Sequence, residues 1–207
     1  MCRSSLILAG GLGKRLGFAE KGLIHLEGRT LIEQTLKILD SITDEVIISL
    51  RDGEQQDQFR QYLSDRKVVF DQYHNVGPLA GMLEGFKAAK EEYIFVTGCD
   101  MPYLDVGVIE YLFERAQGHD AALPRWDDGR MEPLCAVYRV RPMIAGIEAA
   151  ILDDETFILA PVFKLDDVIG IDVDGIKQLD PDLRTFVNIN TQQDLDEYQE
   201  YYGRAPE

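Results

Sequence analysis

The sequence has few cysteines, few basic residues and no long apolar run, and each shortage excludes a class of protein. Its three cysteines, Cys2, Cys99 and Cys135, form no CxxC pair, which argues against a disulfide scaffold and against a zinc ribbon. No apolar stretch approaches the roughly 18 residues that cross a bilayer. The stretch from Leu6 to Ala9 is also too short for the core of a signal peptide. We therefore expect a cytosolic protein without a membrane partner.

Basic residues are outnumbered by acidic ones, 21 Lys and Arg against 37 Asp and Glu, for a formal charge of −16. Nucleic acid is therefore not an expected partner, because phosphate backbones are bound by basic stripes. Residues 1–30 differ from the rest, since they hold five basic and two acidic residues and carry a net charge of +3. A local positive region in an acidic chain suits a small anionic ligand, although chance clustering on a solvated face explains it equally well.

The chain has 207 residues. Along its first half, short runs rich in β-branched residues alternate with segments of helical period. The predicted strands cover 4–9, 45–50, 67–70 and 93–97, and the predicted helices cover 31–39, 54–64, 79–90 and 106–116. The first helix opens on a capping box, Thr30 with Glu33. This rhythm predicts a parallel sheet with helices on both faces.

The second half is less regular. Its predicted strands cover 121–124, 132–139, 168–173 and 185–189, and its predicted helices cover 142–153 and 191–202. Thr191 and Asp194 are spaced to cap the last helix. We predict one α/β domain over 1–207, a mostly parallel three-layer α/β/α sheet of Rossmann-like type, with a nucleotide-binding half (1–116) and an acceptor-binding half (117–207).

The first predicted strand leads into a glycine-rich loop (residues 8–17), LAGGLGKRLG. Glycines let the backbone approach a ligand closely and point its N–H groups at an anion, so we predict a phosphate site. The loop fails the Walker A pattern, because Arg15 follows Lys14. The loop also departs from the dinucleotide-binding pattern G-x-G-x-x-G, because Leu16 stands where the last glycine belongs and Gly17 follows one position later. Even so, Arg51 at the end of the second predicted strand could read the 2′-phosphate of NADP. The 20 or so residues that follow lack a regular element, which is typical of a functional connection. A nucleotidyltransferase that wraps a triphosphate is the third candidate.

Three segments, Leu8-Ala-Gly-Gly11, Arg15-Leu-Gly17 and Lys21-Gly-Leu-Ile24, resemble the signature of the molybdenum cofactor guanylyltransferases, which are GT-A-like nucleotidyltransferases. Leu16 replaces the usual methionine and Glu20 the usual aspartate. Further similar segments follow in matching order and extend the resemblance over about residues 6–195: Gly77-Pro-Leu-Ala-Gly-Met82, Cys99-Asp100-Met-Pro-Tyr-Leu104, Glu132-Pro-Leu-Cys-Ala-Val-Tyr138 and Phe186-Val-Asn-Ile-Asn-Thr-Gln-Gln-Asp-Leu195.

Three of these segments also contain residues whose chemistry or packing can be judged without the resemblance. Asp100 follows a buried strand, and a carboxylate there is costly unless it is paired or binds a cation such as Mg²⁺. Asn188 and Asn190 alternate in a predicted strand and so face the same side. Gly81 and Gly85 lie on one face of a predicted helix and permit close approach of a backbone or a flat base.

The resemblance implies transfer of GMP from GTP to the phosphate of molybdopterin or the molybdenum cofactor, with release of pyrophosphate. It implies Mg²⁺ as cofactor, and as partners GTP, the pterin, and molybdoenzymes or cofactor-insertion proteins. At the end of the second predicted strand, Ser49 stands near the position where the family has an asparagine. The implied site residues are Arg15, Lys21 and Asp100 for catalysis, with Asp100 as metal ligand; Leu8, Ala9, Gly10, Gly11, Lys21, Asp71, Gly77, Pro78, Leu79 and Asp100 for GTP; and Asn188 and Asn190 for the acceptor.

Other functions remain open at this point. Within the same class, the chain could transfer CMP to the pterin or GMP to another phosphorylated small molecule. From other classes, it could be an NADP-binding oxidoreductase or a nucleotide-binding protein without turnover, although the presence of both Lys21 and Asp100 argues against the latter.

Overall fold

The computed structural model describes residues 2–13, 19–73, 76–191, 193, 194 and 196. The strands, in chain order, are β1 (Ser4–Leu8), β2 (Leu12–Gly13), β3 (Ala19–Glu20), β4 (His25–Leu26), β5 (Arg29–Thr30), β6 (Glu45–Leu50), β7 (Lys67–Phe70), β8 (Tyr93–Gly98), β9 (Ala121–Arg125), β10 (Cys135–Arg139) and β11 (Val168–Asp172). The α-helices are α1 (Leu31–Leu39), α2 (Gly53–Leu63), α3 (Pro78–Ala88), α4 (Val106–Ala116), α5 (Val140–Leu152) and α6 (Val173–Ile176). The elements predicted for the first half are confirmed within two residues at each end.

In the described part of the chain, seven strands form one sheet in the order β11-β9-β10-β8-β1-β6-β7. The neighbours of β1 are both parallel to it, and only β10 runs antiparallel to its neighbours, β8 and β9. The chain passes from β1 to β6 and β7 on one side, and then returns to place β8 on the other side of β1. The carboxyl ends of β1 and β8 therefore flank a topological switch point, where open α/β sheets bind ligands.

Both faces of the sheet are covered by helices, which confirms the predicted three layers. Leu6 of β1 and Ile47 of β6 contact the layer that contains α3 and α5, whereas Ile7 and Ile48 face α1, α2 and α4. Successive residues of a strand point to opposite faces, so a strand buried on both sides must be apolar throughout. This is why the central strands are continuous apolar runs in the sequence.

The predicted strand over 185–189 is wrong. Residues 184–186 form a 3₁₀ turn after Leu183, which has a left-handed backbone, and the Thr185 N–H donates to the buried Asp180 carboxylate. Beyond the turn, the Ile189 N–H donates to the Asp100 carbonyl. This single bond fastens the segment to the end of β8 without extending the sheet, whose edge is β11 instead.

The starts of two other elements differ from the prediction. Strand β10 begins at Cys135 rather than 132, and α5 begins at Val140 because Pro142 is accepted within the first turn of a helix. Of the predicted helix over 191–202, residues 193, 194 and 196 are helical and the others, except Thr191, lie outside the described residues. The cap on this helix is confirmed, since the Asp194 N–H donates to Thr191 Oγ1 and the Thr191 N–H donates to Asp194 Oδ2.

The connection from residue 10 to residue 30 is more regular than predicted. Strands β2 and β3 form one two-stranded ribbon, β4 and β5 form another, and a 3₁₀ turn at Lys21–Leu23 lies between them. The capping box that ends the connection is confirmed: the Glu33 N–H donates to Thr30 Oγ1, and the Glu33 carboxylate accepts from the Thr30 N–H.

Two glycines allow a test of how closely α3 packs on the sheet. A methyl group at Gly85 would meet the Leu6 side chain at 2.5 Å, whereas one at Gly53 meets nothing within 4 Å. Overpacking of a tight core costs about 1–3 kcal/mol, which exceeds the roughly 1 kcal/mol gained by removing glycine from a helix. We expect Gly85→Ala to lower the free energy of unfolding in urea by about 1 kcal/mol and Gly53→Ala to leave it unchanged or raise it. Equal stability of the two variants would contradict the close contact.

Candidate active site

A cavity of about 380 Å³ opens at the carboxyl ends of β1, β6, β7 and β8, next to the topological switch point of the sheet. This size suits a small organic ligand such as a nucleotide. Helix α3 closes one side through Gly81, and the turn after β8 supplies the other. The residues that line the cavity are Leu8, Gly10, Gly11, Lys21, Ser49, Asp71, Gly77, Pro78, Gly81, Gly98, Cys99, Asp100 and Leu134.

Three polar residues from distant parts of the chain meet at one end of the cavity. Lys21 Nζ lies 3.1 Å from Asp100 Oδ2 and donates a 2.6 Å hydrogen bond to Asn190 Oδ1. Lys21 follows β3 directly, Asp100 follows β8, and Asn190 is positioned by the bond between the Ile189 N–H and the Asp100 carbonyl. The side chains of Lys21 and Asp100 are 21% and 16% exposed, so the pair is partly shielded from water but accessible to a ligand.

The environment of Asp100 fits a divalent cation that also binds phosphate. Asp100 Oδ1 lies where a Cβ on Gly98 would stand, so the absence of a side chain there makes room for the carboxylate. Within the described residues, no group of three or more acidic, histidine or cysteine side chains is assembled around a common point. A single carboxylate is the donor set that Mg²⁺ uses when substrate phosphates and water complete its coordination.

The opposite end of the cavity is organised around Asp71. Ser49 Oγ donates to Asp71 Oδ1 at 3.2 Å, and a Cβ on Gly81 would lie 3.0 Å from the same carboxylate oxygen. Burial is the largest influence on Asp71 and raises the pKa of its carboxyl group, while the Ser49 hydroxyl and the charge of Arg51 act in the opposite direction. Burial disfavours the charged form of this carboxyl group, and none of the residues that the structure describes forms a salt bridge with it, which is typical of a ligand-binding group.

The raised pKa of Asp71 predicts how its removal changes stability with pH. Since the pKa is higher in the folded chain, folding is most favoured while the group is protonated, and stability is lost as pH rises through the folded pKa. We expect Asp71→Asn to raise the melting temperature at pH 7 by about 1–3 °C, with the gain disappearing below about pH 4. The exposed Asp65→Asn is the matched control. A variant less stable than the parent at pH 7 would show that the hydrogen bond from Ser49 outweighs burial.

Cys99 also lines the cavity but is not equipped as a nucleophile. It is buried, and desolvation raises the pKa of its thiol far above the ordinary value. A thiol in such surroundings stays protonated and unreactive at neutral pH.

Most of the chain matches a known protein family. Residues 5–160 match the MobA-like NTP transferase domain. The chain is 44% identical over 200 residues to a probable molybdenum cofactor guanylyltransferase of Methanosarcina acetivorans, an alignment that covers 94% of this chain and 88% of the relative. The chain belongs to the MobA-like NTP transferase family. The predicted family is therefore confirmed, as are the nucleotidyltransferase class and, within it, the kinship with molybdenum cofactor guanylyltransferases.

Other members and solved structures agree with this placement. A probable molybdenum cofactor guanylyltransferase of Natronomonas pharaonis is 34% identical, with 96% of this chain and 97% of that protein aligned. The crystal structure of the molybdopterin-guanine dinucleotide biosynthesis protein A of Archaeoglobus fulgidus superposes with a TM-score of 0.82 at 29% identity, covering 98% of this chain and all of that one. A 4-diphosphocytidyl-2C-methyl-D-erythritol synthase of Anaerococcus prevotii has a TM-score of 0.74 at 17% identity, and shares the fold.

The structure brings most of the family-implied residues together around the cavity. Lining side chains or backbone come from Leu8, Gly10, Gly11, Lys21, Asp71, Gly77, Pro78 and Asp100. Ala9 and Leu79 are buried and do not line it. Asn188 is exposed, outside the cavity lining, and its amide donates to the Phe186 carbonyl. Arg15 lies outside the described residues.

The loss of the predicted strand changes how the two asparagines are related. They were expected to face the same side of a strand, but the segment is not in the sheet, and Asn190 contacts Lys21 whereas Asn188 is directed to solvent. Arg51, the residue that could have read the 2′-phosphate of NADP, is bonded instead to Glu20 and Asp52 at 2.9 Å each.

The sequence interpretation missed the role of Gln55. This side chain is fully buried in the first turn of α2 and bonds to the glycine-rich loop. A glutamine at the third position of a helix that starts directly after a strand end was the available signal.

No helix in the described ranges combines the length and apolar character that a bilayer-spanning segment requires.

Proposed function

We propose that the protein transfers GMP from GTP to the terminal phosphate of molybdopterin or the molybdenum cofactor, forming the guanine dinucleotide cofactor and releasing pyrophosphate. The observation that carries the proposal is the meeting of Lys21 and Asp100, 79 residues apart in sequence, within 3.1 Å at one end of a nucleotide-sized cavity. The substrate class comes from similar relatives of Methanosarcina acetivorans and Natronomonas pharaonis, which are named probable molybdenum cofactor guanylyltransferases.

The nucleotide is proposed to occupy the cavity with its base and ribose at the Asp71 end and its phosphates at the Lys21 end. The backbone of Leu8 to Gly11 contacts the nucleotide, and the Asp71 carboxylate accepts a hydrogen bond from the nucleoside. The start of α3, Gly77 to Leu79, closes over the base. Glycines at 77 and 81 favour this arrangement, because a side chain at Gly81 would displace Ser49 and Asp71.

Asp100 is the proposed Mg²⁺ ligand, and the space beside Gly98 supports that role. When bound, Mg²⁺ supplies positive charge that polarises the α-phosphate of the nucleotide. In the described structure Asp100 is paired with Lys21 and Asn190 is paired with the same ammonium, so Lys21 is held at the phosphate end before any substrate arrives.

The reaction is an in-line displacement at phosphorus. An acceptor phosphate oxygen forms a bond to the α-phosphorus of GTP, and the bond from that phosphorus to the bridging oxygen of the β-phosphate breaks, so pyrophosphate leaves with the electron pair. The attacking oxygen is already an anion, which makes a general base and a covalent intermediate unnecessary. The contribution of the chain is positioning and electrostatic stabilisation by Lys21 and, from the glycine-rich loop, Arg15.

The acceptor is proposed to enter from the side of the second half of the chain, next to Asn188 and Asn190. The division into halves at 116/117 follows from this placement, with β9 to β11 supplying the acceptor side. We propose that the product passes to molybdoenzymes or cofactor-insertion proteins in the cytosol, where the free thiols of Cys99 and Cys135 would stay reduced.

Calorimetric titration with GTP, CTP, ATP and NADPH, each with and without Mg²⁺, tests the proposal. We expect GTP to bind most tightly and Mg²⁺ to strengthen its binding, and we then expect pyrophosphate release only when molybdopterin is added. Preference for CTP would indicate the cytidylyl analogue of the same reaction. Binding of NADPH alone, or of no nucleotide, would overturn the proposal.

A further inference from the structure

A buried polar cluster of Gln55, Glu20 and Arg51 (the Gln55 cluster) lies against Ala9 and Gly10, at the start of the glycine-rich loop. Gln55 is fully buried in the first turn of α2, and Glu20, at the end of β3, is 9% exposed. Neither faces the cavity described above. Buried polar groups are expensive unless every hydrogen bond is made, so their presence calls for a reason.

The Gln55 amide makes three hydrogen bonds, one to each of three different segments. Its Nε2 donates to the Ala9 carbonyl at 2.8 Å and to Glu20 Oε2 at 2.6 Å, and its Oε1 accepts from the Arg51 N–H at 2.7 Å. The amide orientation is determined by chemistry, because a carbonyl oxygen can only accept and a backbone N–H can only donate. Gln55 thus joins the end of β1, the end of β3 and the end of β6.

Glu20 is held from a second direction by Arg51. Arg51 Nη2 bonds to Glu20 Oε1 at 2.9 Å and Arg51 Nε bonds to Asp52 Oδ2 at the same distance. Asp52 also caps α2 by accepting from the Gln55 N–H at 2.8 Å. Both oxygens of Glu20 are therefore engaged, and its position is determined by α2 and by the end of β6.

Gly10, in the glycine-rich loop, and Gly22, after Lys21, also pack tightly against the same elements. A Cβ on Gly10 would lie 3.3 Å from the Arg51 nitrogen, and one on Gly22 would lie 2.9 Å from the ring of Phe59, another residue of α2. Residues at or next to these contacts line the cavity: Gly10 and Gly11, and Lys21 between Glu20 and Gly22.

We infer that Gln55 is a positioning residue for nucleotide binding: through Glu20 and the Ala9 carbonyl, it sets the backbone of Gly10 and the ammonium of Lys21 in place before the nucleotide enters. The inference rests on the proposed function only for the identity of the ligand. Preorganised groups bind more tightly because the cost of ordering them is already met by folding. Glu20 is also the position at which this chain departs from the aspartate of the family signature.

The first test is structural and needs no ligand. Gln55→Met keeps the volume and the helix while removing all three hydrogen bonds, and Gln58→Met makes the same change at an exposed site on α2. Hydrogen–deuterium exchange of the nucleotide-free full chain is followed at the amides of Ala9 to Gly11 and Glu20 to Leu23. We expect exchange at least tenfold faster in Gln55→Met and unchanged in Gln58→Met. Equal exchange in the two variants would overturn the inference.

The second test measures GTP binding at saturating Mg²⁺ and the KM for GTP at 25 °C, well below the melting temperature of each variant. Loss of the Gln55 hydrogen bonds is expected to raise Kd and KM about tenfold. A merely structural role would lower the melting temperature and leave both constants at those of Gln58→Met, which overturns the inference. A parent chain that binds no nucleotide would overturn the proposed function instead, and the exchange test would still decide the role of Gln55. If Gln55→Met fails to fold, Glu20→Gln tests the link through Glu20 alone, because its single amide oxygen can accept from Gln55 or from Arg51 but not from both. Faster exchange is then expected at Glu20 to Leu23, and exchange equal to that of Gln58→Met would overturn the inference.

Discussion

An Asp100→Asn variant is expected to lose about three orders of magnitude in kcat for nucleotidyl transfer while remaining folded. The substitution keeps the shape of the side chain and the hydrogen bond acceptor that faces Lys21, but it removes the negative charge on which the proposed cation binding depends. The surrounding contacts predict a folded variant, since Asp100 is only partly buried and Lys21 retains Asn190 as a partner. The measurement is pyrophosphate release at increasing Mg²⁺ concentration.

Asp65→Asn is the control, because it removes one charge from an exposed site. It is expected to turn over like the parent chain at every Mg²⁺ concentration. If Asp100→Asn reached parental kcat at ordinary Mg²⁺ concentration, Asp100 would not be the metal ligand. A variant that needed much more Mg²⁺ but approached the parental rate would show that Asp100 binds the ion without further influence on the reaction.

A Lys21→Met variant is expected to lose about two to three orders of magnitude in kcat/KM for GTP. Methionine keeps the length of the apolar stem but cannot offset charge on the phosphates, and it leaves Asp100 without the ammonium that lies 3.1 Å away. Both kcat and the affinity for GTP should fall, because we propose that the same charge contacts the substrate and the transition state. Lys37→Met, at an exposed position of α1, is the matched control.

Lys21→Arg is a sharper variant of the same experiment. It preserves charge, but the guanidinium is planar and larger than an ammonium, and it cannot occupy the space between Asp100 and Asn190 in the same way. We expect it to recover only a small part of the lost activity. Full recovery by arginine would show that position 21 supplies charge alone, and parental kcat/KM in Lys21→Met would contradict any role for this residue at the phosphates.

Elements that bury an apolar face were predictable, because their periodicity follows from local geometry. The first four strands of the large sheet and α1 to α4 are apolar runs and helical stripes with recognisable caps, such as Thr30 with Glu33. The strand predicted at 185–189 is wrong because long-range contacts, rather than local periodicity, determine the structure of this segment. Its alternation of apolar and polar residues is that of a strand, but Thr185 and Ile189 are used to fasten a 3₁₀ turn and a loop to Asp180 and Asp100.

The residue types that we propose for binding phosphate and a divalent cation could be read from the chain alone. A glycine-rich loop with Lys21, a carboxylate after a buried strand at Asp100, and the order of the family motifs together determined the class of the protein. These signals are local, because each depends on a few neighbouring residues and on the rule that strand ends carry function in open sheets.

Only the tertiary structure decided which of these residues meet. The pairing of Lys21 with Asp100 and Asn190 spans 79 and 169 residues, and no local pattern specifies such a contact. The same holds for Gln55, whose amide joins three strand ends although its sequence neighbourhood is an ordinary helix start. Burial creates the need for these bonds and the sheet topology supplies the partners, so long-range polar contacts appear only when the chain is folded.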